Sequence, residues 1–266
     1  MSFPHPFRSG IILFLKKLQA EIIHAFETLE NGAKFEGKKW SYHEKGGGEM
    51  MLLRGEHFEK AAVNWSGVEG SAFPTPEGKG PFFATGVSVI THMANPQVPT
   101  VHMNVRFIET AQGCWFGGGY DLTPMGISYV DDTEHFHGIA KTTLDHFGAH
   151  FYEKFSQNAR EYFYIPHRKK ERGVGGLFFD HLNSGDFNFD YNLWQAVAHS
   201  FLKAIVPIYQ RRLHQSYTLQ EREHQLHCRA HYAEFNLVYD RGTKFGFQSG
   251  GNPEAILCSM PPLVKW

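Results

Sequence analysis

Val101-His102-Met103-Asn104-Val105-Arg106-Phe107 alternates apolar and polar side chains without a break. Successive residues of a strand point to opposite faces, so Val101, Met103, Val105 and Phe107 share one face and His102, Asn104 and Arg106 the other. The apolar face reads as core. Two readings fit the polar one. It is a sheet face wetted by solvent, or it floors a polar cavity, for which directional groups such as His, Asn and Arg suit better than Lys, Glu and Thr.

Outward from this stretch, residues 83–92 form a preceding strand in which Ser88, Ile90 and His92 share a face. Met93-Ala94-Asn95-Pro96-Gln97-Val98-Pro99-Thr100 connects the two, because its prolines cannot continue a ladder. An antiparallel return sets the Ser88 face beside that of His102 and Arg106. Earlier, Lys39-Trp40-Ser41-Tyr42-His43 and Met50-Met51-Leu52-Leu53-Arg54 flank Gly46-Gly47-Gly48, which reads as a hairpin with a glycine turn. Residues 71–81, with three Pro and two Gly, read as an exposed loop. Further strands are predicted at 232–240 and 255–260. In the first, Glu234, Asn236 and Asp240 alternate with Phe235, Leu237 and Tyr239, with Asp240 expected to pair with Arg241 or Arg229.

Residues 9–30 carry Ile12, Leu15, Leu18, Ile22, Phe26 and Leu29 near one face of a helix that Asn31-Gly32 stops. Helices are also predicted over 133–164, opened by Asp131-Asp132 at the positive end of the dipole, and over 189–213 and 217–230. Strands in consecutive pairs, with helices before, between and after them, predict a mainly antiparallel sheet and the α+β class. No repeat, low-complexity tract or linker interrupts the chain, so a single domain over 1–266, with 1–30 as its N-terminal helix, is expected.

The 42% hydrophobic and 20% charged residues fit a soluble globular chain and argue against disorder, while 27 Gly and 24 Phe predict many turns around an aromatic core. A net charge of -1 gives no broad footprint for nucleic acid; the local basic cluster is Arg168-Lys169-Lys170-Glu171-Arg172. Three scattered cysteines, Cys114, Cys228 and Cys258, form neither a disulfide framework nor a Cys-x-x-Cys zinc site, which suits a reducing compartment. The first residues resemble neither a secretory signal nor a transit peptide, and Ile11-Ile12-Leu13-Phe14-Leu15 is too short to span a bilayer. A cytoplasmic protein without a transmembrane segment is expected. The 17 His exceed an ordinary share, but only position can decide whether any of them acts.

Gly117-Gly118-Gly119 leaves room for close backbone approach. Its neighbours make it specific: Trp115-Phe116-Gly117-Gly118-Gly119-Tyr120-Asp121-Leu122-Thr123-Pro124 resembles the signature of oxygen-dependent coproporphyrinogen III oxidases. Further blocks match that family in its own order. They are Pro99 to Phe107, Asp131 to His137, Glu161 to Arg168, Arg172 to Asp180 and Glu234 to Gly246, across roughly residues 50 to 262.

The resemblance implies a flat antiparallel sheet covered by helices on both faces, and a homodimer. It implies oxidative decarboxylation of coproporphyrinogen III to protoporphyrinogen IX in haem biosynthesis, with two propionates becoming vinyls. Dioxygen is the implied co-substrate, and no organic cofactor is expected. By the same resemblance His102 matches the proton donor, and Ser88, Asn104, Val105, Arg106, Gly250, Gly251 and Asn252 match substrate-binding positions. Arg106 and Arg172 suit carboxylate clamps, since a guanidinium grips a propionate through parallel hydrogen bonds; Lys169 and Lys170 read equally well as a solvated face. Asp121 either holds pyrrole N–H groups or caps the turn at Leu122-Thr123-Pro124. Some relatives assign a divalent metal to positions matched by His92, His102, His137 and His167. Those histidines serve equally well as hydrogen-bond partners for propionates, and no spacing fixes a metal geometry.

Three positions depart from the family pattern: Asn252 stands where Arg is usual, His231 where Arg is frequent, and Cys114 where a second Trp is found. Two other classes compete with the oxidase, a non-catalytic tetrapyrrole-binding protein and a histidine-ligated metal hydrolase. His102, Asp121, Arg106 and Arg172, all intact, favour the enzyme.

Overall fold

The computed structural model describes residues 5–73 and 80–266. Six strands, β1 (Glu36–Ser41), β2 (Lys45–Leu53), β3 (Phe58–Gly70), β4 (Phe82–Met93), β5 (Thr100–Thr110) and β6 (Gly113–Thr123), follow one another as antiparallel neighbours. Helices α1 (Arg8–Leu29), α2 (Val130–Asp145) and α3 (His150–Tyr162) and a small ribbon of β7 (Tyr164–Ile165) and β8 (Lys170–Glu171) complete the first part of the chain. Strand β9 (Gly176–Leu182) then adds beside β6. The last third is helical: α4 (Phe187–Arg212), α5 (Leu219–Val238), α6 (Arg241–Gln248) and α7 (Pro253–Leu257).

The alternation in β5 sets which face is which. Val101, Met103, Val105 and Phe107 are fully buried, whereas His102, Asn104 and Arg106 are half-buried. The apolar face is covered by α1, through Ile11, Leu15, Leu18, Ile22 and Phe26, and by α4, through Leu193, Trp194, Val197, Phe201 and Ile205. Burying each such side chain contributes about 1.5–3 kcal/mol before conformational entropy is charged against it. On the opposite face Ala62 and Ile90 of the sheet meet Tyr232 of α5 together with Met125 and Cys258. Helices therefore cover both faces, and the sheet is antiparallel throughout, as an α+β reading requires.

Four expectations need correction. Residues 232–240 are not a strand: α5 runs through them, burying Leu226, Ala230, Ala233 and Asn236 at helical spacing and leaving Leu237 and Val238 exposed. Residues 255–260 are not a strand either, because Asn252 caps α7 by accepting from Ala255 N–H, with Pro253 in the first turn. The helix predicted over 133–164 breaks into α2 and α3 at Gly148. Gly46-Gly47-Gly48 lies inside β2 rather than at the turn, since a Cβ on Gly46 would meet the Gly67 carbonyl at 2.1 Å and one on Gly48 the Trp40 ring at 2.6 Å. The loop predicted at 71–81 falls largely outside the described residues.

Candidate active site

The polar face of the sheet is built by register. Ser88 of β4 lies opposite Asn104 and Ile90 opposite His102; across the next ladder His102 faces Asp121, Asn104 faces Gly119 and Arg106 faces Gly117. Beyond β6, Gly119 pairs with Phe178 and Asp121 with Gly176 of β9. Ser88, His102, Asn104 and Arg106 thus form one half-buried row, with glycines beside it.

The glycines are required by what lies over and under them. A Cβ on Gly117 would meet Asp180 Oδ1 at 2.9 Å and Arg106 Nε at 3.0 Å. One on Gly119, whose φ is +142°, would meet the Leu177 carbonyl at 1.8 Å. The space above Gly117 is occupied by an ion pair: Arg106 Nη2 lies 2.9 Å from Asp180 Oδ1, while Arg106 Nη1 donates to Asn104 Oδ1 at 3.0 Å. Burial would raise the Asp180 carboxyl, but the Arg106 guanidinium outweighs it and holds the group below its usual range. Arg106, 27% exposed, is held in orientation and keeps donors for a ligand.

Asp121 is only 1% exposed and fully engaged. Its Oδ1 accepts from His102 Nδ1 at 3.0 Å and from Arg172 Nη2 at 2.6 Å, and its Oδ2 accepts from Thr123 Oγ1 at 3.0 Å and Arg172 Nε at 3.2 Å. Burial pushes the carboxyl up, yet Arg172 and His102 together bring it below its usual value, so it is ionised. A carboxylate can only accept, which places the ring hydrogen of His102 on Nδ1 and leaves Nε2 for whatever occupies the open face. Arg172 is itself buried. Its Nη1 donates to Asn236 Oδ1 of α5 at 3.1 Å, and its guanidinium is stacked among Phe163, Tyr232 and Phe235.

A model of the coproporphyrinogen III oxidase family matches residues 11–266, nearly the whole chain. The chain belongs to the coproporphyrinogen III oxidase family. It is therefore an oxidoreductase of haem biosynthesis whose family reaction is oxidative decarboxylation. No described helix is long and apolar enough to cross a membrane.

Against this coproporphyrinogen oxidase background, the structure joins some of the predicted residues and separates others. His102, Asn104, Arg106 and Ser88 share the open row. Val105 does not: its side chain is buried in the core on the opposite face. Arg172 is no exposed clamp, because Asp121 and Asn236 already consume it. Gly250, Gly251 and Asn252 form the turn between α6 and α7, where Gly251 N–H donates to the Gly246 carbonyl at 2.8 Å and Gly250 lies against the His43 ring. Asn252 spends its side chain on capping α7.

The four histidines that match the metal positions of some relatives are not brought together. His92 is fully buried with Nε2 on the Ser259 carbonyl at 2.9 Å, and burial pushes it down to about 3. His137 bonds the Val174 carbonyl and the Tyr152 hydroxyl, and His167 bonds Tyr239 and Glu234. Among the described residues no group of three or more His, Cys, Asp or Glu side chains is placed to hold a metal ion. This donor set does not fit the metal.

One further expectation changes. Asp240 pairs with neither Arg241 nor Arg229: it accepts from Tyr162 Oη at 2.7 Å and caps α6 through Thr243. Arg229 instead meets Glu59 at 2.8 Å. The residues that sequence reasoning gave no role are Asp180, Thr123 and Asn236. Asp180 was missed because no strand was predicted over 176–182; in β9 it lies two residues beyond Phe178, on the face opposite Phe179. Asn236 was hidden by reading its helix as a strand.

Proposed function

We propose that this coproporphyrinogen oxidase uses dioxygen to convert two propionates of coproporphyrinogen III to vinyls, with His102 as proton donor at the open face. The placement of His102 carries the reading: its Nδ1 is tied to a buried, ionised Asp121, and its ring, 22% exposed, stands in the row of Ser88, Asn104 and Arg106. Arg106 binds a propionate, and Ser88 and Asn104 supply directional hydrogen bonds beside it. Asp121 orients His102 and stabilises its imidazolium, and Arg172 holds Asp121.

For each propionate, the C–H electron pair of the ring-attached methylene passes to dioxygen, and the pair of the C–COO bond becomes the vinyl π bond. Carbon dioxide leaves. The peroxide formed takes the methylene hydrogen and a second proton, which His102 delivers from Nε2 in its doubly protonated form and regains from solvent; a positioned acid of this kind is worth about 10²–10⁴ in rate. The electrons balance with dioxygen alone as oxidant, so no organic cofactor or metal is needed. The resemblance also supports a cytoplasmic homodimer, for which sedimentation equilibrium would return twice the 30.4 kDa chain mass.

The test is turnover of coproporphyrinogen III under air and under argon. Protoporphyrinogen formation with one peroxide per carbon dioxide in air, and none under argon, is the expected result. An equal rate without oxygen would overturn the choice of oxidant.

A further inference from the structure

Helix α5 carries His224-Gln225-Leu226-His227-Cys228-Arg229-Ala230-His231 on a stretch whose other residues serve the interior. At about 100° per residue, the four His and Cys side chains fall within an arc of about 100° on one side of the helix. Gln225, Leu226, Arg229 and Ala230 point inward and are buried, whereas His224 and His227 are exposed and Cys228 is half-buried. His224 and Cys228, four residues apart, face each other directly, with Nε2 and Sγ 3.8 Å apart. The His224 ring lies against Gly126, where an added Cβ would come within 2.4 Å of its Cδ2, so the backbone at that turn limits where the ring can go.

That separation suits a shared metal. A tetrahedral ion with sulfur at about 2.3 Å and imidazole nitrogen at about 2.0–2.1 Å sets the two donors about 3.6 Å apart. A small rotation of either side chain closes the difference. We propose that His224 and Cys228 form a surface site for a thiophilic d¹⁰ cation of the zinc type. A thiolate and an imidazole select such an ion over magnesium or calcium, which prefer oxygen donors.

His231 Nδ1 is already taken by Lys170 Nζ, which donates to it at 2.8 Å. No group of three His, Cys, Asp or Glu side chains is available among the described residues, so water fills the remaining positions. On binding, the Sγ–H bond breaks, its proton goes to solvent, and the sulfur lone pair makes the metal bond. The ion would brace the helix that also carries Tyr232 and Asn236 against Arg172.

The experiment uses reduced, tag-free protein titrated with Co²⁺ and then with Zn²⁺. The expected result is a near-ultraviolet thiolate-to-cobalt charge-transfer band that saturates at one cobalt per chain and is displaced by zinc. Zinc should also raise the midpoint of thermal unfolding. Cys228→Ser and His224→Gln should each lose both effects, whereas His227→Ala should keep them. Absence of the band in folded wild-type protein would overturn the proposal, as would its persistence in Cys228→Ser or His224→Gln. These side chains lie outside the proposed catalytic row, so turnover of the variants is read separately from metal binding.

Discussion

Asp121→Asn tests the core of the site. In wild type the carboxylate takes two donors from Arg172, at 2.6 and 3.2 Å, and one from each of His102 and Thr123. An amide has one acceptor oxygen, so in either orientation its N–H faces an Arg172 donor, and the guanidinium, 3% exposed, loses its counter-charge. Breaking one side of a buried ion pair costs about 3–5 kcal/mol. In a chain of this size that lowers the unfolding midpoint by roughly 6–20 °C, at about 2–4 °C per kcal/mol. The pH dependence gives an internal control. Because the folded carboxyl is held below its usual value of 3.8, its stabilisation is fully present above that pH and is lost as pH falls through the folded value. The gap between wild type and variant should therefore be flat from neutral pH down to about 4 and narrow below it. Thermal melts followed by circular dichroism from pH 3 to 8 measure this, with turnover assayed in parallel and expected to fall by about 10²–10⁴. A midpoint within about 2 °C of wild type, with turnover within a few fold, would refute the buried pairing and the role given to His102.

His102→Gln removes the proposed acid from a partly exposed position, so turnover should fall by about 10²–10⁴ while the melt stays close to that of wild type; near-normal turnover would remove His102 from the chemistry. Arg106→Lys cannot reproduce a forked grip and should lose about 1.5–3 kcal/mol of propionate binding, seen as a KM raised roughly ten- to a hundredfold with kcat far less changed. A kcat defect at unchanged KM would contradict that role. Gly119→Ala, with its Cβ at 1.8 Å from the Leu177 carbonyl, should destabilise by more than about 4 kcal/mol and be checked by soluble yield and denaturant unfolding. Gly138→Ala, inside α2 with nothing within 4 Å of the new Cβ, should stabilise by up to about 1 kcal/mol in the same assay.

Two strands of the site, β4 and β5, were legible because each shows its face within a few residues. β4 and β5 were bounded to within one residue at each end, and the glycine signature sat where β6 runs. The two strands that proved helical misled for one physical reason. Over Glu234 to Asp240 a polar and apolar alternation happens to coincide with the end of a helix, and only the longer run from Leu226 shows the three- and four-residue spacing of burial. In the 255–260 segment the Asn252-Pro253 pair is a helix-start signal that outweighs the apolar run after it. Gly46 to Gly48 read as a turn because sequence shows that a Cβ is absent, not what would collide with one.

The same limit separates the two arginines. Arg106 sits in a strand, so its spacing from His102 and Asn104 placed it on the open face before any tertiary contact was known. Arg172 follows the short strand β8, and its direction is set by Asp121, 51 residues earlier, and Asn236, 64 residues later. No local pattern carries that information. Asp121 lies on the same face of β6 as Gly117 and Gly119, but no strand was predicted there, so neither its face nor its saturation by Arg172, Thr123 and His102 was legible. A carboxylate whose two oxygens already take four protein donors has little left for a pyrrole N–H, so its influence on the substrate passes through the imidazole it orients. The signature thus divides its labour: the glycines admit the Arg106–Asp180 pair and the neighbouring strand, and Asp121 fixes which nitrogen of His102 faces the open side.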